Sequence, residues 1–300
     1  MKKEKLVVIA GTNASGKSAL GIEMAKRFNG EILSADSRQI FEGFDLCCGK
    51  VTAEERAEVT HHMLDVRRVG EPYSVSEYQE ECYRLVPEIA ARGHLPLMVG
   101  GTGLYISAVV HGYSTMQGEP DPELRRELEG KSLEELRAML PKAEYERLKG
   151  NPSDWQNKRR LIRCIEKSRG PAEVRQNEPR FDVLMLGLTW PMETLEKRIH
   201  ERLRIRMEQG MLKEVKDYLD AGGDPQALYD LGLEYRFLLA RCRGEYGSDA
   251  EMCRDLATAI RQFAKRQVTW FRREKDLQWL DVTGDYVSEA ADRISEFIVN

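Results

Sequence analysis

A glycine-rich loop near the start of the chain carries a lysine and a serine at a fixed spacing. The segment GTNASGKS, residues 11–18, matches the pattern G-x-x-x-x-G-K-[ST] and follows the apolar run LVVIA. In such a loop, backbone N–H groups and the N-terminus of the next helix surround an anion, and the lysine adds a positive charge. The serine hydroxyl can hold a magnesium ion between phosphate oxygens. The loop therefore predicts a site for two linked phosphates, with Ser18 also holding the metal. The residues predicted to bind the phosphates are Gly11, Asn13, Ala14, Ser15, Gly16, Lys17 and Ser18.

An aspartate lies where a second strand is predicted to end. In ILSADSRQIF, Asp36 follows the apolar segment at 31–35. The carboxyl ends of parallel strands meet at one edge of a sheet, so this carboxylate is predicted to lie near the glycine-rich loop. There it can accept a proton from a nucleophile or bind magnesium. Aspartate is also a favoured helix N-cap, which leaves a purely structural role as the alternative.

A glycine-rich turn follows another predicted strand, in the segment LPLMVGGTGLYI. A nucleotide hydrolase often has an aspartate here as a magnesium ligand. This chain has Gly100-Gly101-Thr102-Gly103 instead, which allows close approach of the backbone and offers one hydroxyl. A nucleotide is the usual ligand of a loop such as GTNASGKS, but this turn argues against simple nucleotide hydrolysis.

Three segments concentrate arginine and lysine. In LEKRIHERLRIRMEQG, Arg198 and Arg202 are four residues apart, so both can face a phosphate from one side of a helix, although the nearby glutamates also suit a solvated face. Two others, WQNKRRLIRCIEKSR and RQFAKRQVTWFRREK, combine strong positive charge with aromatic residues. Such surfaces attract phosphate backbones, and their aromatic rings stack on bases or pack in the core. Because a solvated face mixes its charges more evenly, we interpret both as surfaces for RNA or another polyanion.

Strand and helix patterns bring the first three of these segments to one sheet. The helix predicted between the second and third strands is long enough to connect parallel strands. The predicted strands are 6–10, 31–35, 95–99 and 181–188, and the predicted helices between them include 18–28 and 75–92.

The residue pattern changes between residues 118 and 180, where stretches with charged, helix-like periodicity are interrupted by prolines. We expect an α/β fold with a P-loop NTPase-like parallel sheet core, a helical insertion domain and a helical C-terminal part. The predicted boundaries are 1–117 for the first part of the core, 118–180 for the insertion, which we expect to bind RNA or another polyanion, and 181–300 for the return to the core and the C-terminal helices.

The composition is that of a globular protein. The chain has 300 residues, 41% of them hydrophobic, and a formal net charge of −4, so a nucleic-acid surface must come from local clusters. Its six cysteines form no C-x-x-C pair, so neither a zinc site nor a disulfide framework is expected. Because the sequence has neither a signal-peptide pattern nor an apolar stretch of membrane-spanning length, we expect a cytoplasmic protein without a membrane partner.

Nine segments, taken in order along nearly the whole chain, resemble the tRNA dimethylallyltransferase family, also called tRNA isopentenyltransferases. They are GTNASGKS, SADSRQIF, HHMLD, YSVSEY, PLMVGGTGLYI, DPELR, RLIRCIE, RIHERLRIRMEQG and AKRQVTWFR. The resemblance implies that the glycine-rich loop holds the diphosphate of dimethylallyl diphosphate. It further implies transfer of the dimethylallyl group to the N6 amine of adenine 37 in the tRNA anticodon loop, which yields N6-isopentenyladenosine and diphosphate.

The resemblance also implies roles for individual residues. Asp36 takes the proton of the adenine amine, Arg202 stabilises the leaving diphosphate with Lys17 and Mg2+, and Thr102 lies near the reacting base, so these three are the implied catalytic residues: Asp36, Arg202 and Thr102. The implied tRNA contacts are Asp36, Ser37, Arg38, Gln39, Thr102, Arg125, Arg159, Arg160, Arg163, Lys265 and Arg266. The implied partners are tRNA and dimethylallyl diphosphate, the implied cofactor is Mg2+, and we expect a monomer.

The chain departs from the family pattern in four segments near the donor and the RNA. Thr12-Asn13 stands where the family usually has Pro-Thr, and residues 41–48 replace a tyrosine-bearing segment that usually ends in Gly-Thr. Residues 231–236 differ from the usual Gly-Tyr pattern, and the stretch between Asp154 and Arg163 is longer than usual. These differences leave the reaction class unchanged and bear on the choice of RNA substrate.

Three other functions are compatible with parts of the sequence. A small-molecule or nucleotide kinase shares the loop and Asp36, but it does not account for the GGTG turn or the basic segments. An adenylate isopentenyltransferase that acts on free nucleotides accounts for the site but has little use for an RNA-sized basic surface. A non-catalytic RNA-binding protein accounts for the basic segments and leaves the loop and Asp36 without a role.

Overall fold

The computed structural model describes residues 3–113, 121–150, 155–169 and 178–300. The chain forms two compact units, one made of Met1–Gly112 with Pro179–Asn300 and the other of Tyr113–Glu178. The sequence pattern put the corresponding boundaries at 118 and 180. Parts of that predicted insertion, at 118–120, 151–154 and 170–177, lie outside the described residues.

The larger unit contains a six-stranded sheet in the order β3-β2-β4-β1-β5-β6, in which every pairing is parallel. The four longer strands confirm the strands predicted from the apolar runs. Two short strands, β3 and β6, were not predicted. The strands are β1 (Lys5–Gly11), β2 (Gly30–Ala35), β3 (His61–His62), β4 (Leu95–Gly100), β5 (Asp182–Leu188) and β6 (Leu277–Trp279).

Helices connect the strands and form most of the C-terminal half of the larger unit. The predicted helices at 18–28 and 75–92 are present as α1 and α4, and a capping box at Ser74 fixes the start of α4. The helices before residue 113 are α1 (Lys17–Arg27), α2 (Asp45–Cys48), α3 (Ala53–Glu58), α4 (Val75–Ala91) and α5 (Gly103–His111).

The second unit contributes four described helices with their own apolar cluster, which includes Leu128, Leu136, Leu161 and Ile165. Their bounds are α6 (Pro122–Glu129), α7 (Leu133–Ala138), α8 (Lys142–Lys149) and α9 (Lys158–Arg169). After β5 the chain returns to helices α10 (Met192–Gln209), α11 (Met211–Asp220), α12 (Pro225–Leu231), α13 (Leu233–Cys242), α14 (Asp249–Phe271) and α15 (Tyr286–Val299).

Successive side chains of β1 point to opposite faces of the sheet, and each face carries its own part of the core of the larger unit. Leu6 and Val8 pack in a cluster with side chains of α4 and α5, whereas Val7 and Ile9 pack with those of α1 and α15. A third cluster joins helices α10 to α14 to Ala14 of the glycine-rich loop. The loop is therefore held between the sheet and the C-terminal helices. Within the described ranges, none of the helices combines the length and the apolar character that a membrane span requires.

Candidate active site

The glycine-rich loop and the turns after β2 and β4 meet at the carboxyl edge of the sheet. Together with α10 they line one cleft, as the rule for parallel sheets predicts. The cleft brings together nine of the residues predicted from the sequence: Asn13, Lys17, Ser18, Asp36, Ser37, Arg38, Gln39, Thr102 and Arg202. A neighbouring cavity, here called the second cavity, shares Lys17, Ser18 and Arg202 with the cleft and is also lined by Ala14, Ser15 and Gly16. Gly11 is the last residue of β1.

Hydrogen bonds from outside the loop hold two of its carbonyl groups. Arg198 donates from Nε to the carbonyl oxygen of Ala14 at 2.7 Å, and Trp190 donates from Nε1 to that of Ser15 at 2.7 Å. Ala14 and Gly16 both have positive φ angles, 60° and 98°, which give the loop its tight curl. Arg198, which the spacing paired with Arg202 as a phosphate ligand, thus binds the loop backbone. Trp190 was not singled out from the sequence.

Lys17 lies buried at the base of the loop, where its Nζ donates to the carbonyl oxygen of Thr12 at 3.2 Å. Burial lowers the pKa of this ammonium group from 10.5 to about 8, with Asp36 acting to raise it and Arg202 to lower it further. Ser15 adds a buried hydroxyl that has no hydrogen-bond partner among the described residues. A buried lysine and a buried unpaired hydroxyl beside curled backbone are suited to an anion.

Asp36 has one carboxylate oxygen in a turn and one that remains available. Its Oδ1 accepts a hydrogen bond from the backbone N–H of Arg38 at 2.9 Å. Thr102 accepts one from the backbone N–H of Ser37 at 3.0 Å, and so ties the turn after β4 to the turn after β2. In the described part of the chain, no hydrogen bond is made to Oδ2 of Asp36. The carboxylate therefore stabilises its own turn and also faces the cleft.

The amide of Gln39 is engaged within the protein at both ends. Its Oε1 accepts a hydrogen bond from Ser34 at 2.7 Å, and its Nε2 donates to the carbonyl oxygen of Gly49 at 3.1 Å. These bonds connect β2 to the end of α2. Gln39 thus supports the wall of the cleft through its side chain.

Gln267, on α14, connects the glycine-rich loop to the GGTG turn and was missed in the sequence. Its Oε1 accepts a hydrogen bond from the backbone N–H of Asn13 at 2.9 Å, and its Nε2 donates to the carbonyl oxygen of Gly101 at 2.9 Å. A Cβ at Gly101 would lie 2.5 Å from this Nε2, and one at Gly103 would lie 2.8 Å from Cγ of Trp270. The glycines of the turn therefore make room for protein side chains. The signal in the sequence was a glutamine within an otherwise basic segment.

Two arginines of α10, Arg202 and Arg206, line the cleft together with Asp36. Burial and the neighbouring Arg206 together lower the pKa of Arg202 to about 10, against the opposing effects of Glu234 and Asp36. Burial also lowers the pKa of Arg206. Glu234 lines the same cleft, and burial raises its pKa. Sequence reasoning missed Arg206 and Glu234, although Arg206 continues the four-residue spacing of Arg198 and Arg202.

The remaining predicted RNA contacts lie on helices of both units. In the larger unit, Lys265 and Arg266 are exposed on α14. In the second unit, Arg159 and Arg160 are exposed and Arg163 contacts Glu166 at 3.3 Å. Arg125 of that unit donates twice to the carboxylate of Glu166, at 2.8 Å each.

The donor groups at the loop limit how a metal can be bound there. In the described ranges, no three or more His, Cys, Asp or Glu side chains are grouped to hold an ion. All six cysteines are free thiols. The protein oxygens that line the cleft beside the loop include the Ser18 hydroxyl and the Asp36 carboxylate, which are ligand types that Mg2+ accepts.

The chain is similar to a group of proteins that act on tRNA. A family model described as IPP transferase matches residues 39–274. The chain is 40% identical over 307 residues to tRNA dimethylallyltransferase 2 of Shewanella sediminis, covering 99% of each chain. The solved structure of full-length tRNA isopentenylpyrophosphate transferase from Bacillus halodurans has a TM-score of 0.73 at 32% identity, covering 98% of this chain and 97% of that one. A eukaryotic dimethylallyltransferase acting on tRNA matches in fold, with a TM-score of 0.78 at 24% identity over 99% of this chain and 79% of that one.

Proposed function

The chain belongs to the IPP transferase family, and on this premise we propose that it transfers a dimethylallyl group from dimethylallyl diphosphate to the N6 amine of adenine 37 in tRNA. The observation that carries the proposal is the convergence of the loop, Asp36 and Thr102 on one cleft. This arrangement puts an anion site beside a carboxylate that can take a proton. The enzyme is a prenyltransferase.

The proposed reaction is a substitution at C1 of the dimethylallyl group. The N6 lone pair forms the new N–C bond, the C1–O bond breaks, and its electron pair leaves with the diphosphate. Because that lone pair is delocalised into the purine ring, the amine is a poor nucleophile and benefits from losing a proton as the bond forms. We assign proton acceptance to Oδ2 of Asp36. Lys17 and Arg202 stabilise the charge that develops on the leaving diphosphate.

We propose Mg2+ as the metal of this site. The Ser18 hydroxyl is suited to bind this ion, because Ser18 lines both the cleft and the second cavity and its hydroxyl makes no hydrogen bond within the described residues. The oxygens of the donor would supply further ligands. When bound, the ion would neutralise part of the charge on the diphosphate.

The acceptor adenine must leave its stack to reach the cleft, as in other enzymes that modify a base. We propose that Ser37, Arg38 and Thr102 lie near this base. The exposed basic residues, including those of the insertion, attract the tRNA backbone. We further propose that the enzyme acts in the cytoplasm, where its tRNA substrate is found, and that it acts as a monomer.

The test of this function is an assay with labelled dimethylallyl diphosphate and Mg2+, without ATP, in which the acceptor is either unmodified tRNA or free AMP. We expect label in tRNA alone. Label in AMP alone would indicate an adenylate isopentenyltransferase, and strict dependence on ATP would indicate a kinase. Binding of tRNA without any transfer would indicate a non-catalytic RNA-binding protein.

The basic segment of α9 leads to a prediction about tRNA affinity. Replacing Arg159, Arg160 and Arg163 by glutamine should weaken tRNA binding and flatten its salt dependence. The slope of log K against log salt should fall by roughly one unit for each phosphate that the protein no longer neutralises. Binding titrations between low and physiological salt measure this slope. A slope equal to that of the unmodified protein would show that these residues are only a solvated face.

The lowered pKa of Lys17 leads to a prediction about pH. The free enzyme loses the Lys17 proton as the pH rises through about 8, whereas a bound diphosphate favours the protonated form. Affinity for dimethylallyl diphosphate should therefore be full below this pH and fall by up to about tenfold per unit above it. Calorimetric titration without tRNA from pH 6.5 to 9.5 tests this. Lys17→Arg keeps its charge throughout and should give a flatter profile.

A further inference from the structure

Three arginines follow one another at four-residue intervals on α10, and the structure gives them different environments. Arg198 lies outside the loop and donates a hydrogen bond to the carbonyl oxygen of Ala14 within it. Arg202 and Arg206 lie further along the same face and line both the cleft and the second cavity, beside Lys17 and Ser18. Arg206 is thus placed among the residues that we assign to the diphosphate, although the resemblance gave it no role within the segment RIHERLRIRMEQG.

The charge of Arg206 is poorly compensated within the protein. Neither its guanidinium nor that of Arg202 makes a hydrogen bond or an ion pair in the described part of the chain. Among the carboxylates, Glu234 raises the pKa of Arg206 most and Asp36 raises it less, while burial raises the pKa of Glu234 itself. Two neighbouring half-buried cations repel each other, so this arrangement is costly unless an anion lies between them.

Arg204, on the same helix, is an exposed arginine whose charge is compensated by neighbouring glutamates. Its side chain is exposed and donates to Glu208 at 2.6 Å and to Glu201 at 2.7 Å. These partners raise the pKa of Arg204, whereas the pKa of Arg206 is lowered. The helix therefore has one arginine satisfied at its surface and two unsatisfied arginines that face the site.

A glycine brings both unsatisfied guanidinium groups into the same space. Gly49 follows α2 with a φ of +62°, and a Cβ at this position would collide with Nη2 of Arg206 and Nη2 of Arg202. The segment before it is fixed by Lys50, whose Nζ donates to the carbonyl oxygen of Gly43 at 2.6 Å and to Asp45 at 2.9 Å. Gly49 is thus held where only a residue without a side chain leaves room for the arginine pair.

We propose that Arg206 is a second guanidinium that binds the leaving diphosphate together with Arg202, and that Gly49 is the positioning residue that lets both reach it. The identity of the anion rests on the proposed function. As the C1–O bond breaks, the diphosphate takes the electron pair and gains negative charge. Arg206 donates N–H groups to that charge, so the site carries one more cation than the sequence motifs predicted.

The test measures binding of inorganic diphosphate with Mg2+ by calorimetry, so it does not depend on catalysis. Arg206→Met should weaken this binding by about 10–100-fold, the effect of removing a hydrogen bond to a charged group. Arg204→Met, the matched control on the same helix, should leave it within about twofold, since exposed ion pairs contribute little. Gly49→Ala should weaken binding in the same direction as Arg206→Met.

The outcomes separate this inference from the proposed function. Diphosphate binding by Arg206→Met equal to that of the unmodified protein would overturn the inference even if tRNA is prenylated normally. Diphosphate binding that depends on Arg206, without any transfer to tRNA, would support the inference and reject the function. If Arg206→Met does not fold, Arg206→Lys decides: it keeps one charge but loses the planar fork, and its affinity should fall, whereas unchanged affinity would overturn the proposal.

Discussion

Asp36→Asn should reduce single-turnover prenyl transfer by about 10²–10⁴-fold at saturating donor and tRNA, the usual cost of losing a general base. The amide keeps the shape of the side chain and an oxygen that accepts from the N–H of Arg38, so the turn after β2 should persist. It cannot take a proton from the adenine amine. Because Lys17 and Arg202 hold the donor, the affinity for dimethylallyl diphosphate should change little.

A matched substitution separates catalysis from capping. Asp224 caps α12 by accepting from the backbone N–H of Gln226 at 2.9 Å, and it does not line the cleft. Asp224→Asn should leave transfer unchanged, because asparagine caps helices as well as aspartate does. If Asp36→Asn behaves like this control, Asp36 only stabilises the turn after β2, since no helix begins there. If it loses donor affinity and not transfer rate, it is a metal ligand.

The part of the site that could be predicted from the sequence follows from short-range patterns and one rule of topology. The loop lies between a strand and a helix that are both strongly periodic, so β1 and α1 were predicted near their observed bounds. The turns of Asp36 and Thr102 could be brought together because parallel strands end at one edge. The strands β3 and β6, with two and three residues, are too short to show any periodicity.

The rest of the site depends on contacts that sequence spacing does not encode. Gln267 bonds to Asn13, which is 254 positions away in the chain, and its neighbours in the sequence suggested only a basic surface. Arg204 and Arg206 are two residues apart and have the same residue type in the same basic segment. The four-residue spacing puts Arg206 on the helix face of Arg202, but only the packing of α10 shows that this face lines the site and that Arg204 is exposed. The residue types therefore predicted the chemistry, while the packing determines which of several residues of one type lies in the site.

Lys17→Ala should abolish steady-state prenyl transfer while leaving tRNA affinity largely intact. The ammonium group contributes twice, once to donor binding and once to stabilising the charge that develops on the diphosphate. Loss of one such stabilising group typically lowers the rate by about 10²–10³-fold, and the lost charge weakens donor binding further. The exposed basic residues that we assign to tRNA are unchanged. Filter binding of tRNA and calorimetry of dimethylallyl diphosphate measure the two affinities separately.

The lost activity should not come from unfolding, because Lys17 is a cost to the folded state near neutral pH. Its pKa is about 8 when folded, against 10.5 ordinarily, so the unfolded chain binds this proton more tightly. Stability should therefore rise with pH between these values, and the full cost is present below about pH 8. At pH 7 the Lys17→Ala protein should melt no earlier than the unmodified one. Lys26→Ala, at an exposed position of α1 paired with Glu58, is the control that should keep normal transfer. Equal loss of tRNA and donor affinity in Lys17→Ala would show that the two substrates do not bind through separate groups.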